Sequence, residues 1–168
     1  GVLWKRRGLA IEPLIHCGES TTIYRSGTPT TALISSLELA LQKALGAEDE
    51  RRAAVTARNA FLREALSRYE DVRINSPEGA VPHILNVSVS GVKGTVFQRV
   101  LDEKGVCVSV KSACASDGLP SSAVLAVSGD RRNALSSWRI SLSHLTTQEE
   151  CGQFLDAFQR CRRELTER

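Results

Sequence analysis

Apolar and polar positions alternate in two rhythms along this chain, and each rhythm predicts its own kind of element. Thr28, Pro29 and Gly46 bracket "TPTTALISSLELALQKALG", which reads as a helix with Thr28 as N-cap, Pro29 at its first position and Gly46 at its stop. Residues 47–69 follow as a second helix, with acids in the first turn and Val55, Leu62, Leu66 and Tyr69 on one face. The rhythm changes to two in "HILNVSV". Leu85, Val87 and Val89 point one way and Asn86 and Ser88 the other, as in a half-buried strand.

Beyond it, residues 94–105 predict a short helix with Val96, Phe97, Val100 and Leu101 on one side. "VCVSV" predicts a strand, "SSAVLAV" a short helix and "SSWRISL" a further strand. The last helix, 146–165, carries a capping-box pattern in Thr146 and Glu149 and one apolar stripe of Cys151, Phe154, Leu155, Phe158, Cys161 and Leu165. The opening run Val2 to Trp4 also reads as strand-like. These elements predict an α/β or α+β sandwich, a small sheet with helices packed mainly on one face.

Composition adjusts this picture little. The 168 residues are 42% hydrophobic and can bury one core. A net charge of +3, from 22 basic and 19 acidic residues, is too balanced to demand nucleic acid. The pairs Arg6-Arg7, Arg131-Arg132 and Arg162-Arg163 are scattered, as on a solvated surface. No apolar run approaches the ~18 residues of a membrane span and no signal-peptide pattern opens the chain. The chain begins with Gly1 and has no methionine, which reads as a processed chain or a piece of a longer one.

Five cysteines at irregular spacing suggest free thiols in a reducing compartment. Without a C-x-x-C pair, and with only dispersed histidines, no metal site is expected. Cys151 and Cys161 belong to the apolar stripe, and Cys107, inside a run of valines, reads as a core residue by default. Cys114 differs, because Ser112, Ala113, Ala115, Ser116 and Gly118 around it bring no covering bulk. A thiol needs exposure to act as a nucleophile. Spacing alone fits a reactive thiol and an incidental loop cysteine equally well.

Two further stretches carry candidate chemistry. Arg139 lies in a strand of alternating apolar residues, where a guanidinium either grips a carboxylate ligand through paired hydrogen bonds or pairs with a structural Asp or Glu. In "RSGTPTTA" Thr28 and the helix start could hold a phosphate, or could simply be a capped helix.

Taken in order, these stretches resemble the pyridoxal-phosphate (PLP) dependent cysteine desulfurases of the IscS/NifS type, in the class-V aminotransferase group. "EPLIHCGESTTIYRSGTPTTA" resembles the family's H-G-G-G-[QH]-E loop and the R-S-G-T that follows it, with Cys17-Gly18-Glu19 where the glycine run stands. "HILNVSV" matches P-x-I-L-N-x-S, "SVKSACAS" the loop bearing the catalytic cysteine, and "SSWRISLSHLTTQEE" S-S-[IL]-R-x-S-x-x-x-x-T-T-x-E-E. The resemblance implies the C-terminal part of a fold-type I PLP enzyme. Residues 1–28 would close the large PLP-binding domain and 29–168 would form the small domain.

It further implies that Cys114 is the nucleophile that takes sulfur from L-cysteine as a persulfide and leaves L-alanine. Arg139 and Asn86 would bind substrate, and Thr28 would contact the PLP phosphate held by the other subunit of a homodimer. An acceptor protein would then carry the sulfur to iron–sulfur clusters or tRNA thiolation in the cytoplasm. The family's PLP lysine matches none of Lys5, Lys43, Lys93, Lys104 and Lys111, so this chain alone is expected to be inactive. The rival expectation is a non-catalytic dimerisation or acceptor-binding module.

Overall fold

A computed structural model describes residues 2–16, 22–110 and 118–166, and Cys114 lies outside them. The chain divides into two units, Gly1–Gly46 and Ala47–Arg168. In the first, helix α1 spans Thr31–Gly46. It starts later than the Thr28 and Pro29 pattern predicts, because Thr31 N bonds back to Pro29 O (3.1 Å) and that turn occupies the residues ahead of the helix. The expected opening strand is absent. Val2, Leu3 and Trp4 are exposed, Trp4 by 95%, with no neighbouring strand among the described residues. Lys5 Nζ instead organises the segment, donating to the carbonyls of Arg6, Arg7 and Leu9 and lying 4.9 Å over the Tyr24 ring.

The second unit holds the remaining elements: α2 (Glu48–Leu66), β1 (Val72–Ile74), β2 (Ile84–Val89), α3 (Gly94–Asp102), α4 (Ser122–Ser128), α5 (Arg131–Ser136), β3 (Ser137–Ser141) and α6 (Gln148–Thr166). The sheet is antiparallel with order β1-β2-β3. Register pairs Asn86 with Arg139, Val87 with Trp138 and Arg73 with Ser88. Because side chains alternate across a strand, this register sorts the sheet into an apolar face and a polar one.

The apolar face carries Leu85, Val87, Val89, Trp138 and Ile140 and is covered by α2, α3 and α6. Phe97 stacks on Trp138 with ring centres 5.1 Å apart, and Phe158 lies 5.4 Å from Phe97. The α6 stripe behaves as its spacing predicts: Cys151, Phe154, Phe158 and Cys161 are buried, and Leu155 and Leu165 pack against the cluster. On α2, Asn59 falls on the buried stripe with Val55, Leu62 and Leu66. Its amide is satisfied there, donating to Pro82 O (2.9 Å) and accepting from Arg63 Nε (2.7 Å).

Three expectations need correction. Residues 106–110 form no strand. Only Ser109 bridges to Arg139, and Val108 O is taken by the Gln98 side chain (2.9 Å) instead of a ladder partner. The alternation survives, so Val106, Val108 and Val110 pack toward the core while Cys107 points outward. Cys107 is therefore exposed rather than a core residue, with its Sγ 3.7 Å from Asp102 Oδ1.

The capping box of α6 is shifted by one residue. Thr147, not Thr146, exchanges hydrogen bonds with the residue three on: Thr147 N donates to Glu150 Oε2 (2.7 Å) and Glu150 N to Thr147 Oγ1 (3.1 Å). Thr146 Oγ1 is already engaged by Ser143 N (3.0 Å). The Thr147 amide, and then its hydroxyl, hold the Glu150 carboxyl below its ordinary pKa. A depressed carboxyl contributes stability above its unfolded value and loses it as pH falls through the folded one. Acidification from pH ~6 to ~3 should therefore lower the melting temperature more in the native protein than in Glu150→Gln, and parallel melting curves would refute this.

Gly94 opens α3 where there is no room for a side chain. A Cβ there would collide with the main-chain carbonyl of Ser137 and press Val110 Cγ1 at 3.3 Å. Gly94→Ala should cost about 1–3 kcal/mol in denaturant unfolding, the usual range for overpacking against a rigid neighbour.

Candidate active site

The polar face of the sheet is where the candidate chemistry collects. Asn86 on β2 and Arg139 on β3 are direct cross-strand partners and point to this same face. A cavity of about 690 Å³ opens above them. Its walls combine Ile84, Pro120, Val124 and Val127 with polar side chains that include Arg73, Asn75 and Ser76. Apolar walls around a few convergent polar groups are the usual make-up of a small-ligand site.

Arg139 is held by its main chain. Arg139 N donates to Ser109 O (2.6 Å) and Ser109 N to Arg139 O (3.1 Å). Its side-chain Nε is buried without a hydrogen-bond partner. Among the described residues no carboxylate lies within ion-pair distance of it. A buried unpaired donor costs stability, about 1–3 kcal/mol. Trp138 Nε1 is a second one, in the core, but Arg139 lines the cavity, where a ligand could bring the missing acceptor. Val110, next to the Ser109 bridge, and Leu119 both line the cavity. Val110 adjoins the segment 111–117 that contains Cys114, and Leu119 lies one residue beyond Gly118 at its other end.

Neighbouring side chains form a continuous polar network that sequence reasoning did not single out. Asn75, just after β1, donates from Nδ2 to Asn86 Oδ1 (2.9 Å) and to Ser88 Oγ (2.7 Å). Asn133 Nδ2 donates to Asn75 Oδ1 (2.8 Å), and Ser88 Oγ donates to Asn133 O (3.1 Å). Asn133 is placed by α5, whose N-cap Asp130 accepts from Arg132 N (2.9 Å) and Asn133 N (3.1 Å). Gly129 makes that cap possible: it ends α4 in the left-handed region, at φ 65°. Asn86 N is bonded to Ser76 Oγ (2.8 Å).

The remaining sequence candidates are distributed as follows. Thr28 lies in the other unit, with its side chain exposed, next to Gly27 at φ 103°. Burial pushes the Cys151 and Cys161 thiols above their ordinary pKa, which leaves them as packing groups. Among the described residues no group of His, Cys, Asp and Glu is arranged to hold a metal, and no helix is long and apolar enough to cross a membrane.

These residues fit an amino acid carboxylate, and Thr28 offers a hydroxyl that suits a phosphate. A covalent anchor for PLP is not among the described residues of the cavity, which no lysine lines. Lys5 is engaged with carbonyls, and Lys104 is bonded to Glu164 (3.1 Å).

Comparison with known proteins shows the family. The class-V aminotransferase family model matches residues 11–154. A cysteine desulfurase IscS from Dictyoglomus turgidum is 35% identical over 163 residues, covering 95% of this chain and 41% of the relative. A cysteine desulfurase from Cereibacter sphaeroides is 32% identical over 158 residues, 93% of this chain and 40% of the relative. The solved structure of a NifS-like protein superposes with a TM-score of 0.76 at 30% identity, over 92% of this chain and 40% of that one. A NifS-like protein from Rickettsia africae gives a TM-score of 0.74 at 26% identity, over 91% of this chain and 40% of that one. The chain thus spans about two fifths of the relatives it matches. The cavity with its half-buried arginine sits in a chain that belongs to the class-V aminotransferase family, in the company of its IscS- and NifS-type cysteine desulfurases.

Proposed function

We propose that this chain forms the substrate-carboxylate site and the sulfur-accepting loop of a PLP-dependent cysteine desulfurase. The observation that supports this best is Arg139, half-buried with its Nε unpartnered, beside Asn86 in the recess. A guanidinium held this way lacks only an anion, and an amino acid carboxylate supplies two acceptor oxygens in one plane. Seating the carboxylate there fixes one end of L-cysteine in the cavity that Val110 and Leu119 border.

Cys114 then acts on the other end. Its thiolate forms an S–S bond with the substrate sulfur as the substrate's C–S bond breaks. The bonding pair stays on carbon, which takes a proton to give L-alanine, and the enzyme keeps a Cys114 persulfide. PLP supplies the electron sink that this carbon requires. Thr28 serves the cofactor phosphate of a homodimer partner, and an acceptor protein takes the persulfide sulfur for iron–sulfur cluster assembly or tRNA thiolation. With this goes the assignment of residues 1–28 to the end of the cofactor domain and 29–168 to the small domain.

The test uses the protein at its natural length, loaded with PLP and given L-cysteine. L-alanine should form in step with one added sulfur atom on the peptide containing Cys114. Formation of L-alanine with the extra sulfur on another cysteine, or no L-alanine at all, would overturn the reading; the second result favours a non-catalytic binding module.

A further inference from the structure

The hydrogen-bond network beside Arg139 has a direction, and that direction can be worked out from one main-chain atom. Asn133 O is a carbonyl and can only accept, so the single hydroxyl proton of Ser88 is committed to it (3.1 Å). Ser88 Oγ can then meet Asn75, 2.7 Å away, only as an acceptor, which makes the facing atom Asn75 Nδ2. The second proton of that nitrogen goes to Asn86 Oδ1 (2.9 Å), and Asn75 Oδ1 is filled by Asn133 Nδ2 (2.8 Å). Each atom in the series is thereby fixed as donor or acceptor.

The consequence falls on Asn86. Its acceptor is turned toward Asn75, which follows β1, while Arg139 lies across β2 on β3. The Asn86 Nδ2 amide is left on the Arg139 side, and it makes no hydrogen bond among the described residues. Reversed, the Asn86 amide would offer Oδ1 to the orphaned Arg139 Nε, and the two would satisfy each other. A cross-strand Asn–Arg pair would ordinarily relax that way, since an unpaired buried donor is costly.

We infer that Asn75 is a positioning residue: backed by Ser88 and Asn133, it locks the Asn86 amide with its donor toward Arg139 and so keeps the anion receptor from closing on itself. The recess presents Asn86 N–H beside Arg139 N–H with no acceptor between them, and selects a carboxylate over a neutral carboxamide, which brings its own competing donors. This deepens the proposed function and rests on it.

The test is equilibrium dialysis of radiolabelled L-alanine, with L-alaninamide as the probe whose carboxylate is replaced by an uncharged carboxamide, against the PLP-loaded protein at its natural length. Asn75→Ala should weaken L-alanine binding by roughly tenfold, the worth of one hydrogen bond to a charged ligand, and affect L-alaninamide less. In an Asn86→Ala background the same change should have no further effect, because no amide remains to be held. The size-matched Asn75→Asp keeps the bond from Asn133 but can only accept from Asn86. It should weaken L-alanine binding at least as much, which covers the case of an Asn75→Ala protein that folds poorly.

Additive losses in the Asn75/Asn86 cycle, or a lowered melting temperature with unchanged L-alanine binding, would reduce Asn75 to a structural residue. Arg139→Lys separates the two levels. If it weakens L-alanine binding and the Asn75 variants do not, the positioning role alone fails. If it too leaves binding unchanged, the carboxylate site fails and the positioning role with it.

Discussion

Cys114→Ser, in the PLP-loaded protein at its natural length, is expected to form L-alanine from L-cysteine at least ~10³-fold more slowly while binding L-alanine normally. The step requires attack on a sulfur atom. A hydroxyl at neutral pH offers almost no anion and a hard oxygen, whereas a thiolate is both ionised in part and polarisable. Among the described residues no other thiol is suited to compensate. Cys151 and Cys161 are buried in the α6 stripe, with their ionisation suppressed by that burial. Cys107 is exposed, which makes Cys107→Ser the matched control and one that should keep full activity. Turnover by Cys114→Ser at the native rate would remove Cys114 from the reaction.

Arg139→Lys is expected to raise KM for L-cysteine roughly 30-fold or more, about 2 kcal/mol, with a smaller change in kcat. Lysine keeps the charge and loses the planar fork that meets both carboxylate oxygens. The same variant carries its own control. Arg139 Nε is buried and unpaired in the absence of ligand, so losing it should not lower the melting temperature. A variant that melts lower and keeps its KM would mark Arg139 as structural.

How much of this was legible in the sequence differs from element to element. The α6 stripe, the β2 alternation and the α2 face were readable because each repeats its period several times over one buried surface. Two short elements were not. The three-residue β1 exists through its pairing with β2, and the six-residue α5 through the Asp130 cap. The α6 cap was ambiguous in principle, since Thr146/Glu149 and Thr147/Glu150 carry the same spacing. A turn bond from Ser143 to Thr146 decides between them. In the site, Arg139 and Asn86 could be named from strand position and motif. Asn75 and Asn133, which meet across 58 positions of sequence, leave no local mark.

The Ser109 bridge to Arg139 has a consequence for how this protein can vary. On the entry side, Ser109 is fastened by two main-chain hydrogen bonds to Arg139 on β3. On the exit side, Ser121 N is fastened to Ala134 O (3.1 Å). The clasp bonds themselves are main-chain bonds, which every residue but proline can make. Under the proposed function, the residues between Val110 and Leu119 other than Cys114 can vary to suit different sulfur acceptors while the two clasps stay as they are, so acceptor choice and substrate choice can be engineered as separate traits.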